Sequence, residues 1–415
     1  MASTPRTHLT SLQTPLGLRS VYDSVCFCNR CGLCMSVCPA YRHTLQEPFS
    51  PRGLNQTLRL VLKNKALAGQ SRDMLEQMLG ACNLCGECVL CCPGQIPTVE
   101  HVLELRRRSE IYMLPGTLFQ ILRLRQTVPW LFTRLVHVGL KSRRMGILRM
   151  LSSLSKFAWL KHVLEIIPPE VAEYPKILPP AAPTLIYLPS LEADTLLPEL
   201  FTQTYHLACK QHKPLVWRNT ASGLFEYVYG DVRRARRLVR QLIVRHAQIA
   251  GGTLPLLTDS IDVYNFLHQA GQLFSAFPAF KYQAEHFAQQ VCFVTDLFPL
   301  KLSKSAFSTP VELMPAALFS SHTSPCLKAG EILGTLFGKN FVQCGYKDGS
   351  VSPCGYGFVK HTHAPAYISA AVQTVAVHQT KTVFVLSGLA ALELAFYLQK
   401  FYPTAQARHI VELHG

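Results

Sequence analysis

The chain has 415 residues, of which 48% are hydrophobic and 16% charged. That excludes wholesale disorder and a single small module, and it predicts two or three domains with sizeable cores. Lys and Arg total 41 against 25 Asp and Glu, a formal charge of +16, so the expected partners are anionic: acidic proteins, lipid head groups or nucleic acid.

The N-terminal stretch MASTPRTHLTSLQTP carries no apolar segment of the secretory kind, and residues 1–20 are polar and expected to be mobile. No run of 18 apolar residues predicts a membrane-spanning helix, and the expected location is cytoplasmic. Ten of the fifteen cysteines lie before residue 93. On an unsecreted chain such density points to a metal site rather than a disulfide framework.

The cysteines fall in two runs, Cys28-Asn-Arg-Cys31-Gly-Leu-Cys34-Met-Ser-Val-Cys38-Pro39 and Cys82-Asn-Leu-Cys85-Gly-Glu-Cys88-Val-Leu-Cys91-Cys92-Pro93. Both read C-x2-C-x2-C-x3-C-P, the run that holds cubane [4Fe–4S] clusters. Three thiolates at steps of three residues wrap one loop around a cube, and the proline turns the chain away. Gly32 and Gly86 stand at matching positions and allow close approach of the backbone. In two-cluster proteins the fourth cysteine serves the other cluster. By that behaviour one cluster takes Cys28, Cys31, Cys34 and Cys92, and the other takes Cys82, Cys85, Cys88 and Cys38. Structural zinc is the alternative, but it closes on four ligands from two CxxC pairs. A third cysteine at the same step, twice over, favours two cubanes. Cys26 and Cys91 fall outside the pattern and read as packing residues. Between the runs, Leu54, Leu58, Val61 and Leu62 recur at helical spacing. Residues 21–110 are therefore expected to form a helical, dicluster ferredoxin-like domain that transfers electrons.

Residues 111–167 change character. Trp130, Trp159, Phe119, Phe132 and Phe157 are interleaved with basic residues, and Arg123 to Lys161 contains no Asp or Glu. This basic amphipathic segment leaves three readings open: a helix on an anionic membrane surface, at the inner face of the cell membrane; a bridge onto a partner protein; or a helical hairpin joining two domains. No recognisable nucleic-acid motif accompanies the charge, so no nucleic-acid partner is expected. A Pro-rich linker follows at 168–183. From 184 to 415 short apolar runs precede helical stretches: TLIYLPS (184–190), PLVW (214–217), LPLLTDS (254–260), VCFVTDLF (291–298) and TVFVLSG (382–388). Such alternation predicts βα units and a mostly parallel sheet, loosely duplicated, with the halves meeting near 275–290.

Cys38-Pro39-Ala40-Tyr41, Ser50-Pro51-Arg52-Gly53 and the second cysteine run together resemble the iron–sulfur subunit of glycolate oxidase. They are also similar to the iron–sulfur subunits of lactate-utilisation and anaerobic glycerol-3-phosphate dehydrogenases and of heterodisulfide reductase. The resemblance is strong over 21–110 and looser over 184–415. It implies an electron-transfer subunit of a flavin-dependent glycolate or D-lactate dehydrogenase. A partner flavoprotein would bind FAD and oxidise the substrate, and this chain would pass single electrons towards a quinone-linked acceptor. A glycerol 3-phosphate or thiol/disulfide donor, or a non-catalytic docking role, remains open. The family's C-terminal half carries two CCG motifs. Here Ala221-Ser222-Gly223 stands at the first and Pro353-Cys354-Gly355-Tyr356-Gly357 at the second, with Ser190 and Gly388 near places of further cysteines. Ser324-Pro325-Cys326 keeps one cysteine of that kind. Thiolate-rich sites need soft ligands, so 184–415 is expected to be a degenerate CCG-type α/β domain without a metal cluster. His361 and His363 read as a surface loop. No G-x-G-x-x-G follows a strand, so flavin is expected on another polypeptide and no substrate-converting site on this one.

Overall fold

The computed structural model describes residues 8–63, 72–111, 173–298, 310–314, 323–343 and 364–414, with isolated positions between 124 and 166 and at Phe319. The basic segment lies almost wholly outside the described residues, as do residues 1–7 and the stretch holding Cys344, Cys354, His361 and His363. The chain is a multidomain mixture of helices and sheets, including two four-stranded parallel sheets. Among the described residues no helix is long and apolar enough to cross a membrane.

Residues 8–20, expected to be mobile, instead form an antiparallel hairpin, β1 (Ser11–Thr14) and β2 (Gly17–Ser20). The polarity of the stretch hides two anchors, Leu9 and Leu12, which are buried. The Leu9 N–H donates to Glu104 Oε1 at 3.0 Å, and Ser11 Oγ lies 3.3 Å from Ser275 Oγ.

Short helices follow: α1 (Val21–Cys26), α2 (Leu33–Val37), α3 (Pro39–Thr44), α4 (Pro51–Leu62), α5 (Arg72–Ala81), α6 (Glu87–Leu90) and α7 (Thr98–Arg108). Helix α4 starts where Ser50 caps the Gly53 N–H at 3.0 Å and Pro51 occupies the first turn. Its spaced Leu54 and Leu58 are buried, as their periodicity predicts. A polar seam ties α1, α4 and α7 together. Ser24 Oγ is 2.7 Å from His101 Nε2, His101 Nδ1 is 2.9 Å from Asn55 Oδ1, and Asn55 Nδ2 donates to Thr98 Oγ1 at 3.1 Å. Burial pushes His101 down to about 3, so the ring is neutral and shares its nitrogens between one donor and one acceptor.

The first parallel sheet has the order β4-β3-β5-β6, with β3 (Leu185–Tyr187), β4 (Pro214–Val216), β5 (Leu256–Thr258) and β6 (Val291–Phe293). The second has β10-β9-β7-β8, with β7 (Val311–Leu313), β8 (Phe341–Gln343), β9 (Thr382–Val385) and β10 (Gln406–His409). Numbered within each half, both orders read 2-1-3-4, so the loose duplication along the chain is a repeated topology. The chain passes from one sheet to the other between Phe293 and Val311. Central strands are buried on both faces, which explains apolar runs without alternation.

In such sheets the crevice between the first and third strands is the usual ligand site. Here the two crevices face each other and are filled by the chain itself. Ile261 N–H donates to Leu386 O at 2.9 Å, Ser190 N–H donates to Asp259 Oδ1 at 2.9 Å, and Tyr187 OH donates to the same carboxylate. A Cβ on Gly388 would lie 2.8 Å from Glu192 Cγ. Burial, with the Asp259 charge nearby, pushes Glu192 up to about 7, and burial alone pushes Glu393 up to about 8.

The consequence for stability has a definite sign. A carboxyl raised in the folded state binds more protons there than in the unfolded chain. Its stabilising effect is therefore complete below the ordinary value of 4.5 and is lost as pH rises towards 8. Glu393→Gln should raise stability at pH 8.5 by on the order of 2 kcal/mol and change little at pH 5. Thermal melts at both pH values check this, and an equal gain at both would exclude titration as the cause.

Candidate iron–sulfur centre

The two cysteine loops share a backbone signature. Arg30 and Leu84 hold φ of 58° and 59°, and Gly32 and Gly86 hold 86° and 79°. Two left-handed positions per loop curl the chain so that successive cysteines face one side. The glycines adopt them without the Cβ penalty, whereas Arg30 and Leu84 cost about 1 kcal/mol each. Each strained residue has its carbonyl held from outside. Arg52 Nη1 donates to Arg30 O at 3.2 Å, and Phe319 N–H donates to Leu84 O at 2.9 Å. Arg52 is itself steered by Glu47, with Nε 2.8 Å from Oε1. Helices α2 and α6 begin directly after Gly32 and Gly86 and pack against each other.

The loops bring the cysteines into two groups. Cys38, Cys82, Cys85 and Cys88 line one cavity, walled by Phe49, Leu54, Val99 and Val102 and floored by the Leu84–Gly86 backbone. Cys38 comes from the first run and the other three from the second, so the chain crosses over. In the other group, Cys34 lies within electrostatic reach of Cys28 and Cys92. Cys91, read from the sequence as packing, stands in this group too, within reach of Cys31, Cys34 and Cys92. Only its adjacency to Cys92 hinted at that.

The groups differ in exposure. Cys31 is exposed, whereas Leu84, Cys85, Gly86 and Glu87 are buried. Burial pushes the Cys34 thiol up to about 11 and Cys38 up to about 12, and it raises Cys82, Cys85 and Cys88 as well. Thiolates at such positions need cationic partners at neutral pH, which iron supplies. The donor set is all sulfur, soft, and walled by apolar side chains, which fits a cubane. Among the described residues no three His, Cys, Asp or Glu converge as around a single ion. A cubane, with its thiolates at four corners, requires no such convergence.

Arg106 is buried beside the group that holds Cys82, and its Nη2 donates to Leu79 O and Cys82 O, both at 2.7 Å. The sequence offered no signal for this role beyond a basic residue at a helix end. The same helix joins the C-terminal half. Arg107 Nη2 donates to Tyr227 O at 3.2 Å and its guanidinium lies 4.7 Å from the Tyr227 ring centroid, while Tyr227 OH donates to Glu100.

At the positions where the resemblance leads one to expect cysteines, the side chains present have structural tasks. Ser190 caps a helix by accepting from Ala193 N–H at 3.2 Å, and Gly223, with φ of 90°, starts the helix Leu224–Val228. Cys326 is buried beside Thr323 Oγ1 at 3.3 Å, Cys292 is partly buried and Cys209 is exposed.

Comparison with known proteins finds matches to the cysteine-bearing segment. Residues 24–96 match a family described as a 4Fe-4S dicluster domain. The chain is 33% identical over 93 residues to an uncharacterized electron transport protein, YkgF, of Escherichia coli, covering 22% of this chain and 18% of that protein. It is 31% identical over 93 residues to lactate utilization protein B of Exiguobacterium, again 22% of this chain and 18% of the relative. Against one subunit of the ferredoxin:CoB-CoM heterodisulfide reductase of Methanosarcina mazei it is 35% identical over 92 residues, 22% of this chain and 49% of the relative. The chain thus spans half or less of the curated relatives it matches. No solved structure matches it significantly. Residues 24–96 are an iron–sulfur segment of the 4Fe-4S dicluster kind, of the type found in oxidoreductase electron transport.

Proposed function

We propose that this chain is the iron–sulfur electron-transfer subunit of a flavin-dependent 2-hydroxy-acid dehydrogenase, of the glycolate or D-lactate type, and holds two [4Fe–4S] clusters. The observation that carries the reading is the single cavity lined by Cys38, Cys82, Cys85 and Cys88, in which one run completes the other. Cys28, Cys31, Cys34 and Cys92 form the second ligand set. Each cubane, when bound, accepts and returns one electron at a time. The protein's part is to fix the thiolates, exclude water with Phe49, Leu54 and Val102, and hold the loops through Arg52 and Arg106. Substrate chemistry and FAD belong to a partner flavoprotein. The likeness to lactate utilization protein B favours the 2-hydroxy acid, and that to the heterodisulfide reductase keeps a thiol/disulfide donor as a second reading. The domain limits proposed are 21–110 for the cluster domain and 184–415 for the α/β part, joined by the basic segment and the Pro-rich linker. The eroded α/β part holds no cluster of its own on this reading.

Anaerobically purified protein should contain about eight irons and as many labile sulfides. Its dithionite-reduced form should show two interacting [4Fe–4S] EPR signals. Mixed with a glycolate or D-lactate flavoprotein and substrate, it should give the same signals without dithionite. Zinc in place of iron would end the electron-transfer reading, and twelve or more irons would mean that the C-terminal half also holds a cluster.

A further inference from the structure

Helix α7 ends in a run of arginines, Arg106, Arg107 and Arg108, and their charges are met differently. Arg107 Nη1 pairs with Glu104 Oε1 at 2.6 Å, and Arg108 Nε lies 3.4 Å from Glu104 Oε2. Arg106 is only 5% exposed and, among the described residues, meets no carboxylate within ion-pair distance. Its Nη2 donates to Leu79 O and Cys82 O, and its Nε has no hydrogen-bond partner. The ionisable groups within its electrostatic reach are Cys82, Tyr229 and Arg107. Glu393 acts on Tyr229 but not on Arg106, and burial keeps it mostly protonated at pH 7.

A guanidinium keeps its proton in any protein, so Arg106 is a full charge taken out of water. Left without a counter-charge, such a group is strongly destabilising. The two carbonyls satisfy donors but carry no net charge. Leu79 and Cys82 stand at the C-terminal end of α5, whose dipole supplies about half a negative charge there. The rest of the arginine's charge is unbalanced by anything in the chain except the Cys82 thiolate. A cubane held by four thiolates is anionic and becomes more so on reduction. The group around Cys31 has no equivalent. Arg52 donates to Arg30 O at 3.2 Å, but Glu47 meets its charge at 2.8 Å, and Arg30 itself is exposed.

We propose that Arg106 is the counter-ion of the centre built from Cys38, Cys82, Cys85 and Cys88, and that its charge raises the reduction potential of that centre alone. The inference rests on the two-cluster reading above and adds what sets the potential of one cluster. Surroundings poor in water penalise added negative charge, and a fixed cation at the ligand loop offsets that penalty. The step it favours is the entry of one electron, from a reduced flavin on that reading or from dithionite in vitro. No bond forms or breaks, and no proton moves.

The full chain is titrated anaerobically with dithionite at pH 7 and followed by EPR. The midpoint absent from Cys38→Ser protein belongs to the centre in question. Arg106→Gln keeps a donor for one carbonyl and loses the charge. It should lower that midpoint by about 59 mV or more, a tenfold fall in the equilibrium constant for one electron, and leave the other midpoint in place. Arg106→Lys keeps the charge, so its midpoint should fall by less than about half as much, with about eight irons retained. If the glutamine variant loses the centre outright, a lysine variant that keeps it near the wild-type midpoint supports the counter-ion equally. An unchanged midpoint in Arg106→Gln or an equal fall of both midpoints would overturn the proposal. So would a lysine variant that fails as the glutamine variant does, since the shape of the guanidinium and not its charge would then matter. Wild-type protein lacking iron or two EPR signals would instead sink the two-cluster reading, and that is seen before any variant is made.

Discussion

Cys38→Ser is expected to remove the centre built from Cys82, Cys85 and Cys88 while sparing the one beside Cys31. Cys38 lines the same cavity as those three cysteines, although it stands in the other run. Its burial and the apolar wall leave no water to replace the lost thiolate, and a serine hydroxyl is a hard, poor ligand for iron. Iron should fall from about eight to about four per chain. The interacting EPR pair should collapse to one isolated signal. Cys92→Ser is the reciprocal test and should spare the buried centre, with Cys91 close enough to Cys34 to matter for how completely the exposed centre is lost. If Cys38→Ser removed the exposed centre instead, each run would close on itself and the cross-over would be wrong.

Gly53→Ala should be the most damaging single-methyl change in the cluster domain. A Cβ at Gly53 would lie 2.3 Å from the Glu47 carbonyl oxygen and 3.1 Å from Pro48 Cα. Both are backbone atoms of the turn Glu47–Phe49, so no side chain can swing aside. The same turn carries Glu47, which aims Arg52 at the first cysteine loop. Overpacking here should cost about 3 kcal/mol and open that loop together with the helix start. Thermal melts should shift down by several degrees, and the apo-protein should reconstitute with less iron. A variant with wild-type melting and iron would show that the turn relaxes freely.

The legible parts of this molecule are those with local causes. Steps of three between cysteines mark a loop around a cube, and the apolar runs at 185–187, 214–216, 256–258, 291–293 and 382–385 are parallel strands, buried except at the half-buried edge strand 214–216 and at Cys292. The stretch Ser50-Pro51-Arg52-Gly53 served first as a mark of resemblance. In the structure it separates into a cap, a first-turn proline, a loop tether and a close backbone contact. What stayed hidden depends on distant partners. The hairpin 11–20 is polar but rests on Leu9, Leu12 and Glu104. Arg106 looks like any helix-end cation until Leu79 and Cys82 place their carbonyls around it. Nothing local marks Glu100 and Arg107 as buried, because their partner Tyr227 lies more than a hundred residues later in the chain. The strands β7, β8 and β10 escaped notice because their sequences, VEL, FVQ and QARH, break the apolar run with Glu312, Gln343 or Gln406, Arg408 and His409.

The tether from Phe319 to Leu84 also has a timetable. A ribosome adds 5–20 residues per second, so residue 319 follows residue 84 by roughly 10–50 s. Until then the Leu84 carbonyl lacks its Phe319 donor, and until Tyr227 is made the Glu100 carboxylate lacks the Tyr227 hydroxyl. The group around Cys38 is thus open-sided while the chain is being made and shut once its last third has folded. The residues around Cys31, by contrast, stay exposed on the finished protein.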